Sequence, residues 1–399
     1  MNILMILENK FPPDVRVENE ASYLASKGYS VSIICISRNK NFVPFEVINK
    51  INVYRIYQSK LIYKLGALSL LLPFYFRFWK RSIEHFIQNH KVDIIHLHDL
   101  PLSKVINKIS KKFNIPYISD FHENRPEIMK YYHHTQSIAG KLLISNRSWQ
   151  NYQRKYAKLA DKLILVTPEA KEYYVNKLGV NKNNISVVPN YADIDSLSKI
   201  KIDKQIADKY SSKFTLVYFG DTGLRRGTLT IIEAAELLVD DTDIHFIIIG
   251  DSAEQSVLEN EISKRKLNNV ELTGYLLFEK IISYLYASKV GLCPFIRNIH
   301  HDTTYANKMF QTMYFGKPII ASNCTAQQNL LTKEKAGLIF TSGNATELSQ
   351  KILQLKNNES LYNEASRNAK NIVKNKFNTK VGNIDLLNLY STFNSKVIG

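Results

Sequence analysis

The feature that most constrains this chain is an alternation. Short apolar runs that end in polar clusters are followed by stretches of helical periodicity, and the whole pattern runs through once and then starts again. "MNILMIL", "YSVSIICIS", "VDIIHLHD", "PYISDF", "DKLILVT" and "ISVVPN" read as buried strands of a first set. "FTLVYFG", "IHFIIIG", "NVELTG", "VGLCPF", "PIIAS" and "AGLIF" form the second. Between them, "RVENEASYLASKG" puts Ala21, Leu24 and Ala25 on one helical face, with Gly28 as a stop signal. Strands separated by helices require crossovers, hence a parallel sheet covered on both faces. The prediction is an α/β protein with two Rossmann-like domains, over 1–195 and 213–376, facing across a cleft. A polar linker over 196–212 joins them, and a last helix within 377–399 packs back toward the first domain. A length of 399 residues suits two domains. In such sheets ligands bind beyond the carboxyl ends of the strands, so the residues just after each strand are the candidates.

Charge narrows the partners. With 53 Lys and Arg against 36 Asp and Glu the formal net charge is +17. Such an excess seeks phosphates, an anionic membrane surface or nucleic acid; part of it lies in solvated runs such as Asn176–Asn184. No nucleic-acid recognition motif accompanies the charge, so nucleic acid is not an expected partner. The three cysteines, Cys35, Cys293 and Cys324, are far apart, which excludes a disulfide framework or Cys-based metal site and suits a reducing compartment. The first residues lack a basic region and a long apolar run, so no signal peptide is expected. Leu61 to Trp79 is the most apolar stretch, but Lys64, Pro73 and Arg77 interrupt it. It reads as a segment lying on a membrane rather than crossing it. Lys60, Lys64, Arg77, Lys80 and Arg81 accompany it. A second basic run, Lys130, Lys141, Arg147, Arg154, Lys155, Lys158 and Lys162, interleaves with Tyr131, Tyr132, Trp149, Tyr152 and Tyr156. Both suit an anionic bilayer; solvated helix faces are the competing reading.

Two motifs of the second half suit phosphate. "YFGDTGLRRGTLTIIEAA" leaves a strand and passes Gly220, Gly223, Arg225, Arg226 and Gly227 into a helix. Glycines let the backbone approach an anion, helix starts offer N–H groups, and arginines supply charge. "HDTTYANKMFQTMYFGKPIIAS" places Thr303 and Thr304 before a helix carrying Lys308 and Gln311. In the first half, Arg16 follows Pro12 and Pro13, where it suits a phosphate, or an ion pair with Glu20 one turn on. "IIHLHDLP" puts His96, His98 and Asp99 at a strand end; "ISDFHENRPE" does the same for Asp120, His122, Glu123 and Glu127. Alternation places His96 and His98 on one sheet face, a start toward a metal site, but spacing fixes no third ligand and no metal is expected.

"NKMFQTMYFGKPIIAS" closely resembles the signature of the family 4 retaining glycosyltransferases, and "FGDTGLRRG" resembles that family's donor loop, with Arg226 and Gly227 in the places of its basic residue and glycine. "IIIGD", "VELTGYL", "GLCPF" and "VTPEAKEYYVNKLGVNKNNISVVPN" match in order, so the resemblance covers nearly the whole chain. It implies the GT-B fold. It also implies transfer of a sugar, with retention, from a nucleotide-sugar to a glycan or lipid-linked acceptor in surface polysaccharide or glycan synthesis. No cofactor or metal is implied, and the place of action would be the cytoplasmic face of a membrane. The resemblance puts His122 at the reacting centre with Asp120 and Glu123. It gives the donor Gly220, Gly223, Arg225, Arg226, Thr304, Tyr305, Asn307, Lys308 and Gln311, with Gln311 on the ribose. The acceptor side takes Arg16, His98 and Asp99. Two departures stand out: the family's pair of glutamates falls on Thr303 and Gln311, and its first donor-loop base falls on Asp221. A GT-B sugar-nucleotide epimerase and a catalytically silent GT-B binding subunit are the alternatives.

Overall fold

The computed structural model describes residues 1–131, 135 and 144–397. The chain forms two compact units, Met1–Pro189 with the chain from Asn383 on, and Asn190–Gly382.

In the first unit the strands are β1 (Asn2–Ile6), β2 (Ser30–Ser37), β3 (Phe45–Ile48), β4 (Ile51–Tyr57), β5 (Ile94–His98), β6 (Tyr117–Phe121), β7 (Lys162–Leu165) and β8 (Ile185–Val187). Their order in the sheet is β3-β4-β2-β1-β5-β6-β7-β8, parallel throughout except for the β3–β4 hairpin. Alternate residues feed two cores. Leu4, Ile6, Ile34, Ile36, Ile95 and Leu97 point to one face, toward Trp79, Ile83 and Ile106 of α3 (Phe74–Asn89) and α4 (Ser103–Phe113). Ile3, Met5, Ile33, Ile94, Ile118 and Ile164 point to the other, toward Val17, Ala21 and Leu24 of α1 (Val15–Ser26) and toward Leu386, Leu389 and Tyr390 of the last helix (Thr379–Val397). The register sets His98 opposite Asp120, and Ile6 opposite Leu97.

The second unit carries β9 (Phe214–Phe219), β10 (Ile244–Ile249), β11 (Val270–Gly274), β12 (Val290–Cys293), β13 (Ile319–Ser322) and β14 (Gly337–Phe340), all parallel, in the order β11-β10-β9-β12-β13-β14. Its core again has two faces, with Met309, Phe310 and Met313 below one and Ile231, Ile232 and Ile352 above the other. In both sheets the winding reverses at a central strand, β1 and β9. The crevice beyond the carboxyl ends there is where such sheets hold ligands.

Several sequence readings need adjustment. The β3–β4 hairpin went unread. Its turn residues Asn49 and Lys50 both have φ in the left-handed region, at 49° and 66°, without the glycine that usually signals such a turn. Residues 196–212, expected as a linker, hold two short helices (Ile194–Lys199 and Lys204–Lys209), and Leu197 and Tyr210 are buried in the second unit's core. Leu61 to Trp79 is not one surface segment. It is α2 (Lys60–Ala67), a turn, and the start of α3; Tyr75, Phe76 and Trp79 are core, while Leu61, Tyr63, Leu71, Leu72 and Phe74 are exposed. Trp149, Tyr152 and Tyr156, read as surface aromatics, are buried, because helix α5 (Asn146–Leu159) turns its aromatic stripe onto the first unit's core. Tyr132 and Lys141 lie outside the described residues. Among those residues no helix is long and apolar enough to cross a membrane.

Candidate active site

At the carboxyl ends of β5 and β6 a charged network is packed almost out of water. Asp120 is the next-to-last residue of β6 and is fully buried. Arg16, in the first turn of α1, reaches it with Nε and Nη2 at 3.0–3.1 Å, donates Nη1 to the Val188 carbonyl at 3.0 Å, and stands 3.0 Å from Glu20 one turn along. The ion pair with Glu20 read from sequence is thus present, and Asp120 makes it an internal clamp. Burial alone would push the Asp120 carboxyl up; Arg16 and then His122 outweigh it and hold Asp120 well below the usual carboxylate range.

His122 donates Nε2–H to Asp120 Oδ2 at 3.0 Å, and its Nδ1 stands 3.9 Å from Asp99. Burial pulls its pKa down, yet Asp120 and Asp99 together raise it to about 9, so the ring is an imidazolium at neutral pH. Asp99 takes φ 67°, which Asp tolerates better than most residues, and its N–H donates to the Asp120 carbonyl at 2.8 Å. That turn brings its carboxylate back toward His122. Beneath, His98 and His96 stack at 4.3 Å. Burial, then the neighbouring His96, keeps His98 neutral. His96 Nδ1 bonds the Tyr390 hydroxyl of the last helix at 2.7 Å, a partner no local motif announces. Glu123 is exposed, unlike Asp120 beside it.

Glu20, His96, His98 and Asp120 each offer one ligand-type atom within 4.8 Å of one another, all buried. The structure therefore supplies the third and fourth groups that spacing left open. Arg16 lies 3.0 Å from both carboxylates, however, and brings the positive charge a cation would bring. These donors do not fit a metal ion while that guanidinium stands among them.

The second unit gathers the donor-loop residues. After β9 the loop runs through Gly220 and a 3₁₀ turn (Leu224–Arg226) into α6 (Thr228–Leu237). Gly227 takes φ 76°, and a Cβ there would stand 1.8 Å from the Pro294 carbonyl oxygen, so only glycine closes this turn. Lys308, in α7 (Asn307–Tyr314), lays its ammonium over the Tyr218 ring at 3.7 Å, with Phe295 and Phe219 at 5.5 and 5.8 Å, against Gly220. Desolvation lowers its pKa to about 7. Neither Gly227 nor Ala306 caps its helix with a side chain, which leaves first-turn N–H groups to a ligand.

Arg225 and Arg226 are brought to the same place, but by an acid. Asp221 Oδ2 accepts from Arg225 at 2.7 Å and Arg226 at 3.2 Å, and its Oδ1 from the Gly223 N–H at 3.0 Å. Glu254 accepts the Leu224 N–H at 2.7 Å. Asp221 thus occupies donors that sequence assigned to phosphate, and Glu254 takes an N–H of the same loop. His301 was given no role in the sequence reading although it is the first residue of the motif quoted there: its ring stacks on Phe295 at 4.5 Å, and Arg226 Nη1 lies 3.5 Å from its Nε2. Burial lowers its pKa to about 4, so it is a neutral acceptor that steadies Arg226. Thr303 and Thr304 are buried and donate their hydroxyls to helix carbonyls of Ile299 and His300. Tyr305 packs edge-on against Phe310 and Phe377, Asn307 is exposed, and Gln311 is half-buried.

Comparison with known proteins agrees with this layout. The model of glycosyltransferase family 4 matches residues 14–196, and that of glycosyl transferases group 1 matches 199–372. An uncharacterized glycosyltransferase of Methanocaldococcus jannaschii is 26% identical over 294 residues, 73% of each chain. The UDP-Gal:alpha-D-GlcNAc-diphosphoundecaprenol alpha-1,3-galactosyltransferase of Escherichia coli is 24% identical over 233 residues, 56% of this chain and 58% of its own. Among solved structures, sucrose-phosphate synthase from Thermosynechococcus elongatus superposes with a TM-score of 0.80 at 15% identity, over 99% of this chain and 100% of the other. Anabaena HepE in complex with UDP gives 0.73 at 16%, over 98% and 100%. At such identities the structures speak for fold alone. With both halves matched by family models and both sheets wound as the fold requires, the chain belongs to the family 4 glycosyltransferases of the GT-B fold.

Proposed function

We propose that this enzyme transfers a sugar from a nucleotide-sugar to a glycan or lipid-linked acceptor in cell-surface polysaccharide synthesis, with retention of anomeric configuration. The observation that carries the donor half is Lys308. Its ammonium is held by aromatic rings against the glycine loop, and among the described residues no carboxylate lies within ion-pair distance of it. A cation so placed suits a diphosphate. The HepE structure holds UDP, and the Escherichia coli relative is named for UDP-Gal and a diphosphoundecaprenol-linked acceptor; both support the reading.

In the reaction an acceptor hydroxyl oxygen bonds to the anomeric carbon on the face the diphosphate leaves, the bond from that carbon to the diphosphate breaks with its electron pair going to the β-phosphate oxygen, and that oxygen takes the proton of the acceptor hydroxyl. Arg226 and Lys308 stabilise that charge, so no metal is required. His122, as imidazolium, supplies a hydrogen-bond donor at the first unit's strand ends. The exposed apolar residues of α2 and the following turn, with Lys60, Lys64, Arg77 and Arg81, fit the cytoplasmic face of an anionic membrane.

The test is UDP calorimetry with EDTA present throughout. Native protein should bind, and Arg226→Ala should lose about 1.5–3 kcal/mol, the range for a charge-assisted hydrogen bond. An Arg226→Ala/Lys308→Ala protein that binds UDP as the native one does would refute the assignment.

A further inference from the structure

The last helix brings one polar group into the buried network of the first unit. Tyr390 is 0% exposed, and its hydroxyl bonds His96 Nδ1 at 2.7 Å. The transfer chemistry above does not use it. Packing does not require it either: Leu386, Leu389 and Phe393 of the same helix fill this core without a polar atom, and a phenyl ring would fill the place of Tyr390.

On the other side of the His96 ring, Nε2 stands 3.6 Å from Asp120 Oδ2 and has no hydrogen-bond partner among the described residues. The gap is too long for a hydrogen bond. It is short for an N–H dipole beside a carboxylate in a buried site, where charge is weakly screened. An imidazole fits its slot in two ways, related by a half-turn that exchanges Nδ1 with Cδ2 and Nε2 with Cε1. The Tyr390 hydroxyl selects the way that pairs Nδ1, and so aims Nε2 at Asp120. Burial holds that hydroxyl well above the usual tyrosine range, so it keeps its hydrogen. Donated to Nδ1, that hydrogen puts the ring's own on Nε2; a charged ring carries one there as well.

Asp120 Oδ2 is also the atom to which His122 donates, at 3.0 Å. Each N–H that shares this oxygen takes some of its basicity and leaves the His122 proton held less tightly. The groups around the carboxylate are Arg16 from α1, with Glu20 behind it; His96 and, at 3.7 Å, His98 from β5; and His122, with Asp99 near its other nitrogen. Tyr390 joins through His96, with the Tyr29 ring 6.0 Å from its own. His122 titrates at about 9. A proton donor works best with its pKa near the operating pH, and the His96 N–H draws His122 that way.

We propose that Tyr390 is a positioning residue: its hydroxyl fixes the His96 ring with Nε2–H toward Asp120, and through that contact keeps His122 a readier hydrogen-bond donor. The inference takes its catalytic meaning from the reading that places His122 at the reacting centre.

The test is NMR of the full chain with nitrogen-15 in its 10 histidines, titrated upward from neutral pH through the His122 range. His122→Ala and His96→Phe proteins assign the two rings by the signals they lack. In the native chain His96 Nε2 should carry hydrogen at neutral pH. Tyr390→Phe keeps the packing ring and removes only the oxygen. It should raise the His122 pKa, tightening its proton about three- to tenfold, the value of roughly one hydrogen bond. His96→Phe should do the same, and adding Tyr390→Phe to it should change nothing further. A merely structural contact would move the denaturant midpoint and leave this titration alone. Should a single variant fail to fold, the double variant, which leaves neither partner orphaned, reads the same shift. The proposal is overturned if His96 carries its hydrogen on Nδ1 alone, if the His122 titration stays in place or falls in Tyr390→Phe or in the double variant, or if Tyr390→Phe shifts it equally with and without the His96 ring. Turnover separates the two readings. Native-like turnover of His122→Ala would remove His122 from the reacting centre and leave this link standing, whereas an unmoved titration removes the link alone.

Discussion

Replacing Asp221 by Asn should tighten the enzyme's hold on a nucleoside diphosphate. In the native loop Asp221 sits among the groups a diphosphate needs: Arg225 at 2.7 Å, Arg226 at 3.2 Å and the Gly223 N–H at 3.0 Å. Burial pushes its pKa up, but the Gly223 N–H and then the two arginines lower it below the ordinary value, so the group is a carboxylate at neutral pH. An incoming diphosphate must displace this resident anion or share its partners. Asn keeps the Oδ1 acceptor for Gly223 and removes the charge. The carboxylate is 39% exposed, so solvent screens each ion pair to about 0.2–1 kcal/mol. Two such pairs sum to about 1 kcal/mol, which converts to roughly fivefold in Kd. Calorimetric titration with UDP at low ionic strength measures this directly. The gap between variant and native protein should narrow as salt rises, since the competing pairs are half exposed. Equal or weaker UDP binding by Asp221→Asn at low salt would refute the competition, and would make Asp221 a support that aims the arginines instead.

Three further outcomes are expected from the same geometry. Lys308 has its pKa lowered to about 7, and a neighbouring diphosphate should raise it again; UDP binding at pH 7 should therefore take up about half a proton and weaken as pH rises above 7, which calorimetry in buffers of different ionisation enthalpy reads, and no uptake would place the diphosphate elsewhere. His122→Ala should lower turnover about 100-fold with little change in UDP affinity. Native activity should fall as pH passes 9, where His122 loses its proton; because that pKa lies above the ordinary 6.5, the stability the ion pair contributes is complete below pH 6.5 and is lost as pH rises through 9, as denaturant midpoints across pH would show. The protein should co-sediment with anionic but not zwitterionic vesicles, and changing exposed Lys60, Arg77 and Arg81 to Glu should abolish this, each residue contributing about 1 kcal/mol near an anionic surface; indifference to anionic vesicles at low salt would count against a membrane-borne acceptor.

The parallel strands and their order of use were legible because a strand buried on both faces must be apolar, and a helix between two such strands must show its own period. The loop residues were legible for a related reason: polar residues directly after an apolar run have nowhere to stand but the strand's carboxyl end. The β3–β4 hairpin was not, since its outer strand is half exposed and Asn-Lys carries no turn glycine. Surface and core aromatics were also confused. Trp149, Tyr152 and Tyr156 recur at helical spacing among lysines, and composition alone does not say which stripe faces inward. At the site, the motifs located Arg226, Lys308, Asp120 and His122. They missed His301, Glu254 and Tyr390, whose roles depend on contacts with residues distant in sequence, and they gave no sign that Asp221 would bond the arginines beside it.

The bond between His96 and Tyr390 joins residues 294 positions apart. At about 5–20 residues per second, a ribosome needs roughly 15–60 s to get from one to the other. During that interval the first unit exists as a nascent sheet whose Ile3, Met5, Ile33 and Ile164 lack the cover of Leu386, Leu389 and Phe393. The second unit, lying entirely between, has all its strands before the first is complete. The unit begun first is therefore the one finished last, and a gene fragment ending near residue 195 would encode a sheet with one face covered by α1 but not by the last helix.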